Sequence, residues 1–393
     1  MEYNFDQIID RRNTNSLKYD FAAERGKPAD ILPLWVADMD FSVPSEIQEA
    51  IYQAVSHGIF GYSEVKQDYF EVVHDWFYRH FDWDTKETWL IKSPGVVFAL
   101  TMAIRALTKE GEGVMIQQPV YYPFSEMIRI NSRKLVVNSL VYQDYQYSID
   151  FDDFEEKIIK NQVKVFLLCN PHNPVGRVWT KEELLRLGEI CLKHKVIVIS
   201  DEIHCDFTYP GYQHIVFSNL NEEFAQNSIT CTAPSKSFNL AGLQVSNIFI
   251  QNDALREKVK LEIAKSGYSQ LNTLGLAACK AAYQHGEPWL MQLKAYLLGN
   301  LNYVREFIAE KLPMIKLIEP QGTYLIWLDF NEMQLTRKEL EELIVHKAKL
   351  WLDPGHIFGL EGSGFERINI ACQRQTLEKA MDQLYQAVIS REN

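Results

Sequence analysis

The sequence predicts an α/β protein in which a mostly parallel, seven-stranded sheet lies between helices, accompanied by a smaller α+β domain. Seven apolar or β-branched runs alternate with helical stretches from Trp89 onward. Several runs, such as Val-Ile-Val-Ile-Ser at 196–200, are apolar throughout, which suits strands covered on both faces. A chain of 393 residues, 47% hydrophobic and 23% charged, is too long for one small module and close to soluble globular usage.

Residues 1–44 are rich in turn formers and end in LPLWVADMDFSVP, which suggests an arm laid over a domain. A helix is expected from Pro44-Ser45 through EIQEAIYQAV, and another over 65–81. Strands follow at 89–91, 114–117, 134–137, 163–168, 196–200, 228–232 and 247–250, with helices at 96–107, 151–160 and 181–194 among the intervening stretches. After Gly286-Glu287-Pro288 a long helical pattern reaches about Leu312. Shorter elements follow at 316–318, 324–328, 338–346, 367–370 and 377–390. The expected division is an arm (1–44) packing with the small domain, a large domain (45–286) and a small domain (287–393).

Composition narrows the function. With 40 Lys and Arg against 52 Asp and Glu, the formal charge is −12, which disfavours nonspecific binding to nucleic-acid phosphates. The N-terminus is charged from its second residue and no run of 18 apolar residues occurs, so a cytoplasmic protein without membrane contact is expected. Six cysteines without a CxxC pair signal neither a disulfide framework nor a metal site, and buried thiols are expected.

Open α/β sheets bind ligands beyond the carboxyl ends of their strands, and four such ends carry candidate chemistry. At Ser93-Pro94-Gly95-Val96-Val97 a strand passes through glycine into a helix, whose free amides and dipole can cradle a phosphate. Taken alone, that turn is commonplace. Asn170-Pro171-His172-Asn173-Pro174-Val175-Gly176 follows VKVFLLC, and its doubled Asn-Pro builds a rigid turn that aims an amide at the strand end. Asp201, after VIVIS, is a carboxylate at the end of a buried strand, which needs a strong partner; a helix cap, an ion pair or a protonated ring nitrogen would each serve. Lys236, in TAPSKSFNLAG, sits among small and apolar residues that disfavour its ammonium form, and a neutral amine attacks carbonyls. Phosphate cradle, ring-nitrogen carboxylate and amine nucleophile together are the parts needed to hold pyridoxal 5′-phosphate.

NPHNPVG, then Asp201 in SDEIH, then SKSFNLAG closely resemble the fold type I, aspartate-aminotransferase-like superfamily of pyridoxal phosphate enzymes, and the likeness runs from WVADMDF to FERINIACQR. SPGVVFAL, PVYYPF and DEIHCD are most similar to its cystathionine β-lyase, or carbon–sulfur lyase, branch, which includes a maltose-regulon modulator. The resemblance implies that Lys236 holds the cofactor covalently and moves the Cα proton, while Asp201 pairs with the pyridine nitrogen. It implies that Asn173 bonds the phenolic oxygen, that Tyr121 stacks on the ring, and that Gly95, Val96, Val97 and Ser235 hold the phosphate. It further implies a homodimer in which Tyr62 of FGYSEV reaches the neighbouring subunit's phosphate. Arg367 would grip an amino-acid substrate's α-carboxylate as a two-bond fork, with Asn173 and the backbone at Ala37 completing the substrate site.

Three positions depart from the broader aminotransferase pattern: Gln244 where arginine is common, Ala233 where serine is common, and His204 where tyrosine is common. The first two weaken the expected phosphate grip. His204 matches the lyase branch, either touching the cofactor or serving a structural role beside it. The expected reaction is β-elimination from a sulfur amino acid, yielding pyruvate, ammonia and a thiol. An aminotransferase would use the same residues. A regulatory protein with residual lyase activity, binding a transcription factor, is a third reading; the intact Lys236, Asp201 and Arg367 argue against a dead site but leave a protein partner open.

Overall fold

The computed structural model describes residues 2–392. Its main sheet contains β1 (Leu90–Ser93), β2 (Gly113–Gln118), β3 (Lys134–Ser139), β4 (Val165–Cys169), β5 (Ile197–Asp201), β6 (Ser228–Thr232) and β7 (Ser246–Phe249), in the order β1-β7-β6-β5-β4-β2-β3. Six strands run one way, and β7 alone is antiparallel to its neighbours β1 and β6. The seven expected strands are all present, each within two residues of its expected bounds.

Alternation along the strands divides the core. Ile116, Leu167 and Ile199 face the helices Val96–Leu107 and Asp253–Lys265, where they meet Leu100, Ile104 and Val259. Met115, Phe166 and Val198 face the helices Phe151–Asn161 and Lys181–Lys193, where they meet Phe154, Leu184 and Leu187. Side-chain caps start these helices where the sequence places them. Asp150 accepts from the Asp153 amide, and Thr180 and Glu183 form a reciprocal capping box. The six cysteines are free and buried.

A second sheet, fully antiparallel, holds β8 (Lys316–Ile318), β9 (Leu325–Asp329), β10 (Asp353–Pro354) and β11 (Phe365–Asn369) in the order β8-β9-β11-β10. The helices Glu287–Lys311 and Arg374–Glu392 lie in the same part of the chain. The segment expected as one helix over 338–346 is an α-helical turn, Arg337–Glu341, running into a π-helix, Glu342–Lys347. Leu340, Leu343 and Ile344 reach the core on either side of that change of winding.

The N-terminal segment is bound by backbone bonds and aromatic contacts. Leu32–Pro33 pairs in parallel with Leu350–Trp351, Trp35 stacks on Trp351 at 4.5 Å, and the Asp40 amide donates to the Ala371 carbonyl at 3.1 Å. Arg11 spans Asp38 at 2.6 Å and Asp40 at 2.9 Å, and the fully buried Lys18 pairs with Asp40 at 2.7 Å. No described helix is long and apolar enough to cross a membrane.

Candidate active site

The carboxyl ends of β1, β4, β5 and β6 converge on a cavity of about 420 Å³. Ten of the sequence-derived candidates line it: Ala37, Gly95, Val96, Val97, Tyr121, Asn173, Asp201, His204, Ser235 and Lys236. Gln244 lines it as well, so an amide occupies the wall at the position where arginine is common in aminotransferases. Two candidates do not line it. Arg367 stands behind Asn173, and Tyr62 is 98% exposed on a loop outside the cavity.

Each polar side chain is positioned by the turn that follows its strand. Gly176 closes the Asn-Pro turn: its amide donates to the His172 carbonyl at 2.8 Å, and its φ of +74° is strained for residues with a side chain. A Cβ there would also meet the Pro320 backbone at 3.1 Å. The turn presents Asn173, whose Oδ1 accepts from Arg367 at 2.9 Å and whose backbone oxygen accepts from the Tyr121 amide at 2.9 Å. With Oδ1 so occupied, Nδ2 is left to donate into the cavity.

Asp201 ends β5 and is 4% exposed. Its Oδ1 accepts one bond, from the Ile203 amide at 3.1 Å. Burial pushes its carboxyl up to about 7, against the pull of that amide and of Lys236. Lys236 responds in the opposite sense. Enclosure draws its amine down to about 8 although Asp38 favours the charged form, and Nζ donates to the Ala37 carbonyl at 2.7 Å. His204 is buried, its Nδ1 has no partner among the described residues, and its ring meets Tyr324 edge-on at 5.6 Å. Desolvation, with Lys236 and Arg367 nearby, keeps it neutral at physiological pH.

Gly95 has an extended φ of 168°, and a Cβ there would meet nothing within 4 Å, because it would project into open space. The amides of Gly95, Val96 and Val97 begin the helix Val96–Leu107, so this wall carries the positive end of a helix dipole. Arg367, 2% exposed, also donates to the Trp35 carbonyl at 2.9 Å and forms an ion pair with Asp353, while its Nε has no partner among the described residues.

Sequence reasoning missed the residues that hold the arm at this site. Asn239 Nδ2 donates to the Met39 and Phe41 carbonyls, and its Oδ1 accepts from the Met39 amide. Asn369 Nδ2 donates to the carbonyls of Val36 and Asp38 at 2.6 Å each. Both lie inside quoted motifs, SKSFNLAG and FERINIA, and an asparagine beside a functional residue was the available signal. Asp353, which partners Arg367, sits in no such motif.

The chain belongs to the class I and II aminotransferase family, whose model matches residues 29–384. Over 385 residues it is 42% identical to cystathionine beta-lyase PatB of Bacillus subtilis, covering 98% of this chain and 100% of that one. It is 35% identical to protein MalY of Escherichia coli, covering 98% and 99% of the two chains. The crystal structure of cystalysin from Treponema denticola, which contains a pyridoxal 5′-phosphate cofactor, matches with a TM-score of 0.96 at 38% identity over 100% of both chains.

Proposed function

We propose that this chain is a pyridoxal 5′-phosphate-dependent carbon–sulfur β-lyase, converting a sulfur amino acid of the cystathionine or cysteine type to pyruvate, ammonia and a thiol. One observation carries the reading: a buried carboxyl, Asp201, and an amine drawn down to about 8, Lys236, share one cavity with the N-terminus of a helix. Whole-length similarity to a cystathionine beta-lyase supports it. The residues fit the cofactor. Asp201 lacks the cationic hydrogen-bond donor that a protonated ring nitrogen provides, Lys236 offers the amine, and the open space at Gly95 matches a phosphate beside free amides.

When bound, the cofactor supplies an electron sink for the charge left as Cα loses its proton. Lys236 Nζ, in its neutral form, takes that proton. Asp201 would accept a hydrogen bond from the ring nitrogen and keep it protonated. Asn173 Nδ2 would donate to the phenolic oxygen, Tyr121 would cover the ring face with His204 beside it, and Ser235 would join the amides of Gly95, Val96 and Val97 around the phosphate. Arg367, with the backbone at Ala37 nearby, orients the substrate carboxylate and retains an unpartnered Nε–H for it. Lys236 would pass the proton taken from Cα to the thiolate as it leaves Cβ, and the released enamine would take up water to give pyruvate and ammonia.

The same proposal includes a homodimer in which Tyr62 completes the partner's phosphate site, a cytoplasmic location, and the division of the chain at 44 and 286. Ile59, Phe60 and Tyr62 are 72%, 66% and 98% exposed on one loop, an apolar surface suited to burial in an interface. A second reading, aminotransferase, is favoured by the family model. One assay separates the two. Purified holoenzyme given L-cystathionine without a keto acid should release pyruvate continuously, and stalling relieved by 2-oxoglutarate would overturn the lyase reading.

A further inference from the structure

Away from the catalytic cavity, a second cavity of about 270 Å³ opens between the antiparallel sheet and the helical segment after Arg337. Leu340, Ile344 and Leu352 line it with apolar surface. Glu366 lines it too. Successive side chains of β11 point to opposite faces, so Arg367 turns toward Asn173 while Glu366 turns the other way. Glu366 is 3% exposed, and its carboxyl has neither a hydrogen bond nor an ion pair among the described residues. Burial, reinforced by Asp353, holds it well above the usual carboxylate range, and Lys27 opposes this without coming close enough to pair.

A buried carboxyl with no partner is unfavourable, and a native protein retains one chiefly where something else binds it. The mouth of the cavity carries two cations, Arg337 and Lys27, against one carboxylate, Glu341, with His356 beside them. Arg337 is exposed and forms no ion pair among the described residues, and Lys27 makes only a long contact, 3.9 Å, with Glu341. One acceptor inside, two cations at the rim and an aliphatic wall between them match a zwitterion. Among the described residues no group of three or more His, Cys, Asp and Glu side chains is placed to hold a metal ion, and a fatty acid would set its tail against Glu366.

We propose that this cavity binds a free α-amino acid with an aliphatic side chain. Its ammonium donates to Glu366, its carboxylate meets Arg337 and Lys27, and its side chain lies against Leu340, Ile344 and Leu352. The site is distinct from the catalytic cavity, with which it shares no lining residue.

The test is calorimetric titration of the holoenzyme with N-methyl-L-leucine, a secondary amine that cannot form an imine with the cofactor. Saturable binding of one equivalent per chain is expected, weakened about tenfold or more both in Glu366→Gln and in Arg337→Ala, because each removes the group that faces one charge of the ligand. Cofactor absorbance and pyruvate release should be unchanged in both variants. No saturable heat up to about 20 mM, beyond the affinity of any useful small-molecule site, would overturn the proposal. So would unchanged affinity in either variant, or a shift of the cofactor band with the same midpoint as the heat.

Discussion

Lys236 Nζ donates to the carbonyl oxygen of Ala37 at 2.7 Å, joining residues 199 positions apart. The same carbonyl accepts from the Tyr324 hydroxyl at 3.0 Å, so the amine rests on an oxygen that is already oriented. The neighbouring backbone is tied by Asn239 and Asn369, and Arg11 binds both Asp38 and Asp40. The proposed nucleophile therefore takes its resting position from the N-terminal arm.

Attachment of pyridoxal 5′-phosphate to the cofactor-free protein should speed up as pH rises through about 8 and level off above it. Only the neutral amine attacks, and enclosure has brought Lys236 down from an ordinary 10.5 to about 8. Stopped-flow absorbance measures this; a rate still climbing toward pH 10 would show an ordinary solvated lysine. Lys236→Ala should bind the cofactor without covalent attachment and release no pyruvate.

Asp201→Asn should abolish most turnover yet stabilise the cofactor-free protein. The folded-state carboxyl, at about 7 against an ordinary 3.8, holds its proton more tightly than the unfolded chain does. Stability therefore falls as pH rises from about 4 to about 7, and the full cost is present above that. The variant's Tm should exceed wild type by a few degrees at pH 8 and match it at pH 4. Equal melting at pH 8 would mean that another group already compensates Asp201.

Arg367→Lys should raise KM at least tenfold with the cofactor retained, since an ammonium cannot offer the free Nε–H while keeping the bonds to Asn173, Trp35 and Asp353, a loss of about 1.4 kcal/mol or more. Arg367→Ala should destabilise the fold by about 3 kcal/mol, because Asp353 is left buried without its cation. Adding Asp353→Asn should recover part of that loss in denaturant titration; no recovery would show that the pair is not energetically coupled.

Asn239→Ala removes three bonds to the arm. Proteolytic cutting within residues 1–44 should accelerate, and KM should rise more than kcat falls. An arm as protected as in wild type would shift its anchoring to Asn369 and Arg11.

If Tyr62 completes the partner's site, Lys236→Ala and Tyr62→Ala should complement each other. Unfolded together and refolded at equal amounts, they should recover roughly a quarter of wild-type activity, because half the dimers are mixed and each mixed dimer has one intact site. Activity no greater than the sum of the separate variants would place both residues in the same subunit's site.

Asn173, Asp201 and Lys236 were legible in the sequence because each follows an apolar run. A polar side chain just past a buried strand must stand at the sheet's carboxyl edge, and neighbouring strands bring such edges together. The strand and helix periods rest on local patterns of the same kind and mark the main-sheet strands to within two residues, whereas 338–346 winds partly as a π-helix. Only the tertiary structure decided that β7 runs against its neighbours, that Ala37 supports Lys236, that Arg367 is shared among Asn173, Trp35 and Asp353, and that Glu366 faces a separate cavity. Periodicity reports which face of an element is buried. It carries no record of which distant segment covers that face, and the charge state of Asp201 and Lys236 depends on that covering, through the water it excludes and the oxygen atoms it provides.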